Sequence, residues 1–539
     1  MKLRKSITSV LSLVLIMGSM MGCSNTGENT KTGVEQRKEN NEIVVSVGSE
    51  PEGGFDAITG GHGSITKVFF SSLVKRDKEL GWENDLATKY EASEDKLTWT
   101  VTIRDDVKFT DGEKLTAEDV AFTYKTTKES STEVDLTMIK EIKVVDDTTV
   151  EFTLERPMST FIEKLGTCGI VPKHAYDDNF KDNPIGSGPY KFVQWDKGQQ
   201  VIAEVNENYY GEAPSINKVT MVFLDTDAAY AAVKSGQVDM AAINGQLAEE
   251  EVEGTNIIDI QSIETYGVEF PTVANTGKKT DTGYEIGNNV TSDIVIRKAL
   301  NTAIDRETMV EGVLNGYGTV STTGLEKMPW LNEESVLGEY EYNNMEEAKK
   351  ILEEGGWSDS NNDGTVDKDG VEAEFKLLYT PGNYRQELGL EFQKQAKELG
   401  IEVTLEERTW DTILEDIHKE AVLFGFGSGD PSELYNLYYS GASNTPVEWD
   451  NAGFYSSEVT DNNIDKALES NSEEEALPYW KKAQLDGENG ASPKGDAPYC
   501  WLVNANHVYI VSEGFDIGNP VVQPHGGRIF DNITEWSWK

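Results

Sequence analysis

The chain is short of cysteine, histidine, proline and positive charge, and each shortage excludes something. Three cysteines and five histidines among 539 residues show no CxxC pair, no HExxH and no thiol-redox spacing. Sixteen prolines beside 49 glycines exclude a proline-rich linker protein and a collagen-like repeat. Lysine and arginine total 48 against 95 aspartates and glutamates, a formal charge of −47. Such a surface repels phosphate backbones and anionic lipid headgroups, which speaks against any nucleic-acid partner. Beyond the first two dozen residues no apolar run approaches the ~20 residues of a membrane helix. GxSxG elbows and P-loops are missing as well.

What remains is a folded chain with 37% hydrophobic and 9% aromatic residues. Its length exceeds the ~250–300 residues that one core can fill, so two or three lobes are expected. Residues 1–22 carry Lys2, Arg4 and Lys5, then an apolar run from Ile7 to Met21, then Gly22. That order describes a secretory signal peptide. Met20-Met21-Gly22-Cys23 is similar to a bacterial lipobox, which makes Cys23 the acylated mature N-terminus; plain secretion with Cys23 as a bystander is the alternative. The polar stretch 23–41 reads as a flexible tether. Cys168 and Cys500 read as free buried thiols or, alternatively, as one long-range disulfide.

Strand-like and helical stretches alternate. LTWTVTI (97–103) has the period of a half-buried strand, and Ala117–Lys125 follows Thr116 as a capped helix. KVVDDTTVEFTLE (143–155) reads as a hairpin turning at Asp146-Asp147. Ala299, Leu300, Ala303, Ile304 and Val310 recur at helical spacing. Interleaving of this kind argues for α/β lobes.

Four groups of residues have the chemistry of a site. DSNNDGTVDKDG (359–370) puts Asp359, Asn361, Asp363, Thr365 and Asp367 on alternate positions around Gly364, as in a Ca(II) loop. Gly370 stands where such loops carry a bidentate Glu, so the competing reading is an Asx-rich surface turn. GFGSGDPSELYNLYYS (425–440) sets Asp430 ahead of Tyr435, Asn436, Tyr438 and Tyr439. Its carboxylate either receives a ligand amine or caps the helix that starts near Pro431. Trp410 and these tyrosines offer faces for stacking, and Arg385 and Arg528 offer guanidinium groups to a ligand carboxylate; core or surface positions are the plain alternatives. His62 in GGHGS and His525 in PHGGR lie on glycine-rich backbone, and neutral imidazole suits Ni(II). Two imidazoles cannot fill a nickel shell, so a small-molecule chelator would supply the rest; otherwise they are unconnected loop histidines. His174, His418 and His507 have no metal partner at local spacing.

Several blocks in fixed order resemble the solute-binding proteins of ABC importers for dipeptides, oligopeptides and nickel, family 5. They are DVKFTDGEKLTAEDVAFTY (106–124), NPIGSGPYKFVQWDKGQ (183–199), NENYYGEAPSINKVTMVFL (206–224), IRKALNTAIDRETMV (296–310), YNNMEEAKKILEEGGW (342–357), and KKAQLDG with APYCWLVN (481–504). The resemblance spans 43–539. It implies an α/β, two-lobed periplasmic-binding-protein-like fold (type II) with an additional small α/β domain. Lobe I would combine 42–80, 205–292 and 505–539, the additional domain 81–204 and lobe II 293–504, with hinge crossings near 292 and 505. It implies a monomeric, non-enzymatic receptor, held at the cell membrane by a lipid anchor alone. This receptor closes on a short peptide or a nickel chelate and delivers it to ABC permease subunits. No cofactor is required; Ni(II) would be cargo and Ca(II) structural. In peptide-binding relatives an acid in the loop of Asp430 accepts the peptide α-ammonium, and nickel receptors place histidines in loops similar to those of His62 and His525. The rival is a secreted hydrolase acting on peptides or glycosides. Among 95 acids a catalytic carboxylate pair can always be nominated, so that abundance carries no information.

Overall fold

In the computed structural model, residues 33–539 are described, apart from 52, 60–64, 79, 131–133, 383, 445–446, 471 and 526. The leader, Cys23 and His62 lie outside the described residues.

A seven-stranded mixed sheet runs in the order 255–260, 507–512, 240–243, 42–46, 218–222, 200–205, 190–196. Its central strand, Glu42–Ser46, alternates half-buried and buried side chains, the period-two pattern of a strand with one face in a core. It runs parallel to Lys218–Val222 and to Met240–Ile243. A second sheet has six strands in the order 318–320, 499–505, 265–269, 421–426, 374–379, 402–407. Here 374–379 is parallel to both of its neighbours. The third sheet is antiparallel, ordered 87–92, 98–103, 149–154, 139–146, and the hairpin at Asp146-Asp147 lies within it. A helix at Ala117–Ser130 covers it, opened by Asp119, whose carboxylate accepts hydrogen bonds from the Thr116 backbone N–H and hydroxyl.

Three boundaries differ from the sequence expectation. Strands 190–196 and 200–205, grouped there with the additional domain, extend the first sheet by pairing onto Lys218–Val222. The chain leaves the first sheet at Ile260 and enters the second at Thr265, so this crossing lies at 261–264 rather than near 292. The strand responsible, TYGVE, is buried at every residue and has no alternation to announce it. Lastly, Gly33–Asn40 is a helix, not tether. It has no apolar face; Arg37 instead grips the fully buried Asp239 with two hydrogen bonds of 2.6 and 2.7 Å.

The return crossing is the single residue Asn506, between strands 499–505 and 507–512. The two crossings touch: the Ser262 hydroxyl donates to the Ala505 carbonyl, and the Ala505 N–H donates to the Glu264 carbonyl at 3.0 Å. One apolar cluster joins the third sheet (Val101, Phe152) to Leu434, Tyr438 and Trp480 of the second body. Cys168 and Cys500 are free and buried, and burial pushes their thiols up to about 12 and about 11.

Candidate functional site

Parallel strands send their following loops out of one edge, and ligands in open α/β sheets bind outside that edge. In the second sheet strands 374–379, 402–407 and 421–426 end there. Arg385 opens the helix after the first, Trp410 the helix after the second, and Asp430 lies on the loop after the third. The antiparallel strands present their crossing ends to the same rim, since Thr265 pairs with Phe426 and with Asn504. The first sheet turns its own carboxyl ends toward the crossings, because Ile243 pairs with Val508 and Ile260 with His507. Strand direction thus brings the loop-bearing ends of both sheets to the side where the two crossings lie. Tyr384 reaches from one to the other, with a hydrogen bond from the Gly245 backbone opposing the burial that carries its phenol to about 12.

At the hinge end the rim holds a carboxylate with several donors. Glu264 lies in the first crossing and is 4% exposed. It contacts His507 Nε2 at 2.6 Å and His525 Nδ1 at 3.3 Å, and Tyr266 donates its hydroxyl to the same group. Burial alone would raise this carboxyl; the two histidines outweigh it and hold it well below the usual range. His525 is tied in by its backbone N–H, which donates to the Gly427 carbonyl at 2.8 Å. Its ring lies so close to strand 421–426 that a Cβ on Gly425 would stand 3.1 Å from Nδ1, so a larger residue there would press on the imidazole. The side chain stays 38% exposed.

Arg385 adjoins this cluster. Its guanidinium lies 5.6 Å from the Tyr266 ring and 5.7 Å from that of Trp410. The residue is 5% exposed, and its Nε has no hydrogen-bond partner among the described residues. Two other buried arginines differ, since Arg297 and Arg306 spend their N–H groups on backbone carbonyls. A buried N–H without a partner is costly. Trp410 stacks on Phe424 at 5.7 Å and 10° yet remains 40% exposed.

A second polar cluster surrounds Asp430, and here the sequence reading needs correction. Asp430 is not an open anchor: Arg76 holds its Oδ2 at 3.2 Å. Arg76 itself lies 3.5 Å over the Trp82 ring and donates to the Leu80 carbonyl. The other Asp430 oxygen accepts the Ser432 N–H, a turn just before the helix Glu433–Tyr438. Burial, with Glu163 adding to it, raises the Asp430 carboxyl to about 6 against the pull of Arg76. Arg528 belongs to this neighbourhood, where it and Lys67 oppose the burial that raises Asp531. Tyr435 is taken up by Tyr439, stacked at 4.8 Å, and by Arg156 at 5.0 Å. Asn436 is a helix residue whose backbone N–H donates to Ser432. Tyr438 is core, accepting Trp501 Nε1 at 3.2 Å.

The 359–370 loop is held by its own side chains. Asp359 accepts the N–H groups of Asp363 and Gly364, Asp363 that of Thr365, and Asp367 that of Ser360. Asn361 donates to Asp363 and Glu372. Among the described residues no group of three or more His, Cys, Asp or Glu is arranged to hold a metal ion. His174 pairs with Asp111, and His418 contacts the Ala452 carbonyl and Glu448.

Sequence reading missed Glu264 and Tyr266, and it set His507 aside for want of a partner at local spacing. Glu264 and His507 lie 243 positions apart, so no local spacing could join them. The available signal was two glutamates, Glu264 and Glu269, inside the apolar run IETYGVEF, which does not by itself single out Glu264.

Known proteins match this architecture. Residues 81–446 match the family model described as bacterial extracellular solute-binding proteins, family 5, middle. Protein XP55 of Streptomyces lividans is 30% identical over 529 residues, covering 95% of this chain and 92% of that protein. NikZ from Campylobacter jejuni, solved with Ni(L-His), superposes with a TM-score of 0.79 at 25% identity, covering 92% of this chain and 99% of NikZ. AppA from Bacillus subtilis, solved with a nonapeptide, gives 0.76 at 25%, covering 92% and 98%. The fold is that of the type II periplasmic binding proteins, as the sequence blocks implied.

Proposed function

The chain belongs to the bacterial extracellular solute-binding proteins of family 5, and from that premise we propose that it captures a nickel–amino-acid chelate at the hinge end of its cleft. It serves as the receptor of an ABC importer, monomeric and anchored at the cell membrane through acylated Cys23, and releases its cargo unaltered to the permease.

One observation carries this reading: an exposed imidazole contacts a buried carboxylate through Nδ1, and Tyr266, which donates to that carboxylate, lies 5.6 Å from a guanidinium whose Nε lacks a hydrogen-bond partner among the described residues. A histidine that binds metal through one ring nitrogen commonly gives the other N–H to a carboxylate, which fixes tautomer and direction. The contact of His525 Nδ1 with Glu264 leaves Nε2 for the metal, and neutral imidazole suits Ni(II). The chelator fills the remaining positions, His62 adding a second imidazole. Its carboxylate pairs with Arg385 and supplies the partner that Nε lacks. Trp410 covers the chelator's ring or stem. Ligand bridging both rims then favours the closed form by its differential affinity. The complex of NikZ with Ni(L-His) supports the choice.

A peptide is the second reading, favoured by the mixed-charge neighbourhood of Arg76, Asp430, Glu163, Lys67, Arg528 and Asp531 and by the nonapeptide bound to AppA. A peptide α-ammonium would have to displace Arg76 from Asp430. Calorimetric titration with nickel plus two equivalents of L-histidine, beside trialanine and a pentapeptide, separates the two. Saturable binding of nickel–histidine that His525→Ala weakens by about 10-fold or more, without abolishing it, is expected; binding of peptides alone, weakened by Asp430→Ala, would replace this reading with the second.

A further inference from the structure

We infer that Glu264 is a positioning residue that couples chelate capture to lobe closure, by tying the ligand-bearing imidazole to both inter-lobe crossings; this rests on the nickel-chelate reading. Glu264 lies in the first crossing, and its carbonyl accepts the N–H of Ala505, the last residue before the second. Its carboxylate meets His507, the first residue after that second crossing, at 2.6 Å. The hydroxyl of Tyr266, on the second sheet, donates to it, and His525 reaches it from the C-terminal segment at 3.3 Å. That segment is itself bonded to the second body through Gly427. One buried carboxylate thus gathers contacts from the first sheet, the second sheet and the residue that would hold the metal.

The geometry gives the coupling a direction. A metal on His525 Nε2 requires the ring proton on Nδ1, the nitrogen that faces Glu264. The ring then becomes a committed donor to a carboxylate. The present 3.3 Å is long beside the ~2.7–2.9 Å of a charge-assisted N–H···O bond. Shortening it draws the first crossing toward the C-terminal segment, and His507 carries the second crossing with it. Ligand bound at one point is therefore felt at both strands about which the lobes turn.

The experiment is a double-mutant cycle read out in two ways. Wild type, Glu264→Gln, His525→Ala and the double variant are titrated with nickel plus two equivalents of L-histidine. Compaction is followed by small-angle scattering at saturating ligand. Glu264→Gln should weaken binding by about 10-fold or more, the usual cost of losing a carboxylate behind a metal-binding histidine. It should also reduce the ligand-induced compaction at saturation. In the His525→Ala background the same substitution should change affinity less than about twofold, because the path through the imidazole is gone. Wild-type affinity and full compaction in Glu264→Gln, or losses that add in full, would overturn the coupling and leave the chelate reading standing. If Glu264→Gln fails to fold, His507→Gln cuts the other arm: reduced compaction supports the coupling, and unchanged compaction rejects it. If wild type does not bind nickel–histidine, the chelate reading falls and the inference with it.

Discussion

Charge placed under the surface explains most of what single residues do here. Arg385 was legible as a candidate because a guanidinium near a loop end suits a carboxylate; that its Nε is buried without a partner emerges only in three dimensions. Arg385→Met should leave the melting temperature of the empty protein unchanged or higher, since a buried N–H without a partner is removed. It should also lower nickel–histidine affinity by about 10-fold or more; calorimetry beside differential scanning fluorimetry checks both. Glu269 gives a pH prediction. Burial is the main reason its carboxyl is raised to about 8 from an ordinary 4.5. In the unfolded chain it ionises near 4.5, whereas the folded protein keeps the proton until about 8. Stability from this group is complete below the lower value and is lost as pH rises through the upper, by ~1.4 kcal/mol per unit between them. Glu433, raised to about 7 by burial, acts in the same direction; Glu264, held low by its histidines, acts oppositely at acid pH. Melting temperatures at pH 6 and pH 9 should therefore lie closer together in Glu269→Gln than in wild type.

Among elements, those with a period were visible and those without were not. The strand in LTWTVTI, the hairpin at Asp146-Asp147 and the helix after Thr116 all announced themselves through alternation, turn chemistry or a cap. The GSGPY stretch (186–190) lies in one of the family blocks, and its glycines have a physical reason. A Cβ on Gly188 would stand 2.6 Å from the Phe69 carbonyl carbon, so two backbones meet where only glycine fits. TYGVE was opaque because every one of its residues is buried, leaving no polar face to mark a strand. The helix Gly33–Asn40 was opaque because a long-range ion pair docks it, and composition cannot reveal a partner 202 residues away. Arg37→Ala strands Asp239 in the interior with, among the described residues, the Val44 N–H and Ser512 hydroxyl as its remaining side-chain partners. A loss of about 3 kcal/mol in urea denaturation is expected, the range found when one member of a buried pair is deleted; a change under 0.5 kcal/mol would show that the helix adds nothing to the fold.

At the scale of the whole molecule the bodies meet through both apolar and charged contacts. The shared cluster around Leu434 and Trp480 and the Arg76–Asp430 pair hold the third sheet and its neighbours against the second body. Family blocks implied two lobes and a cleft, but not which charges face each other, since Arg76 and Asp430 are 354 residues apart. Arg76→Ala leaves a buried carboxylate without its guanidinium and should destabilise more than the Arg76→Ala/Asp430→Ala double variant. Thermal melts of the single and double variants test this, and simple additivity of the two losses would contradict it.

The return path has no slack. A lone asparagine, Asn506, separates the strand ending at Ala505 from the one starting at His507. Successive strand side chains point to opposite faces, so one inserted residue would turn Val508 and Ile510, both buried, away from their core. The pivot can therefore tolerate changes of residue type but not of length. On the proposed closure, swinging is absorbed by backbone torsions at fixed chain count, as in a leather hinge rather than a sliding bolt.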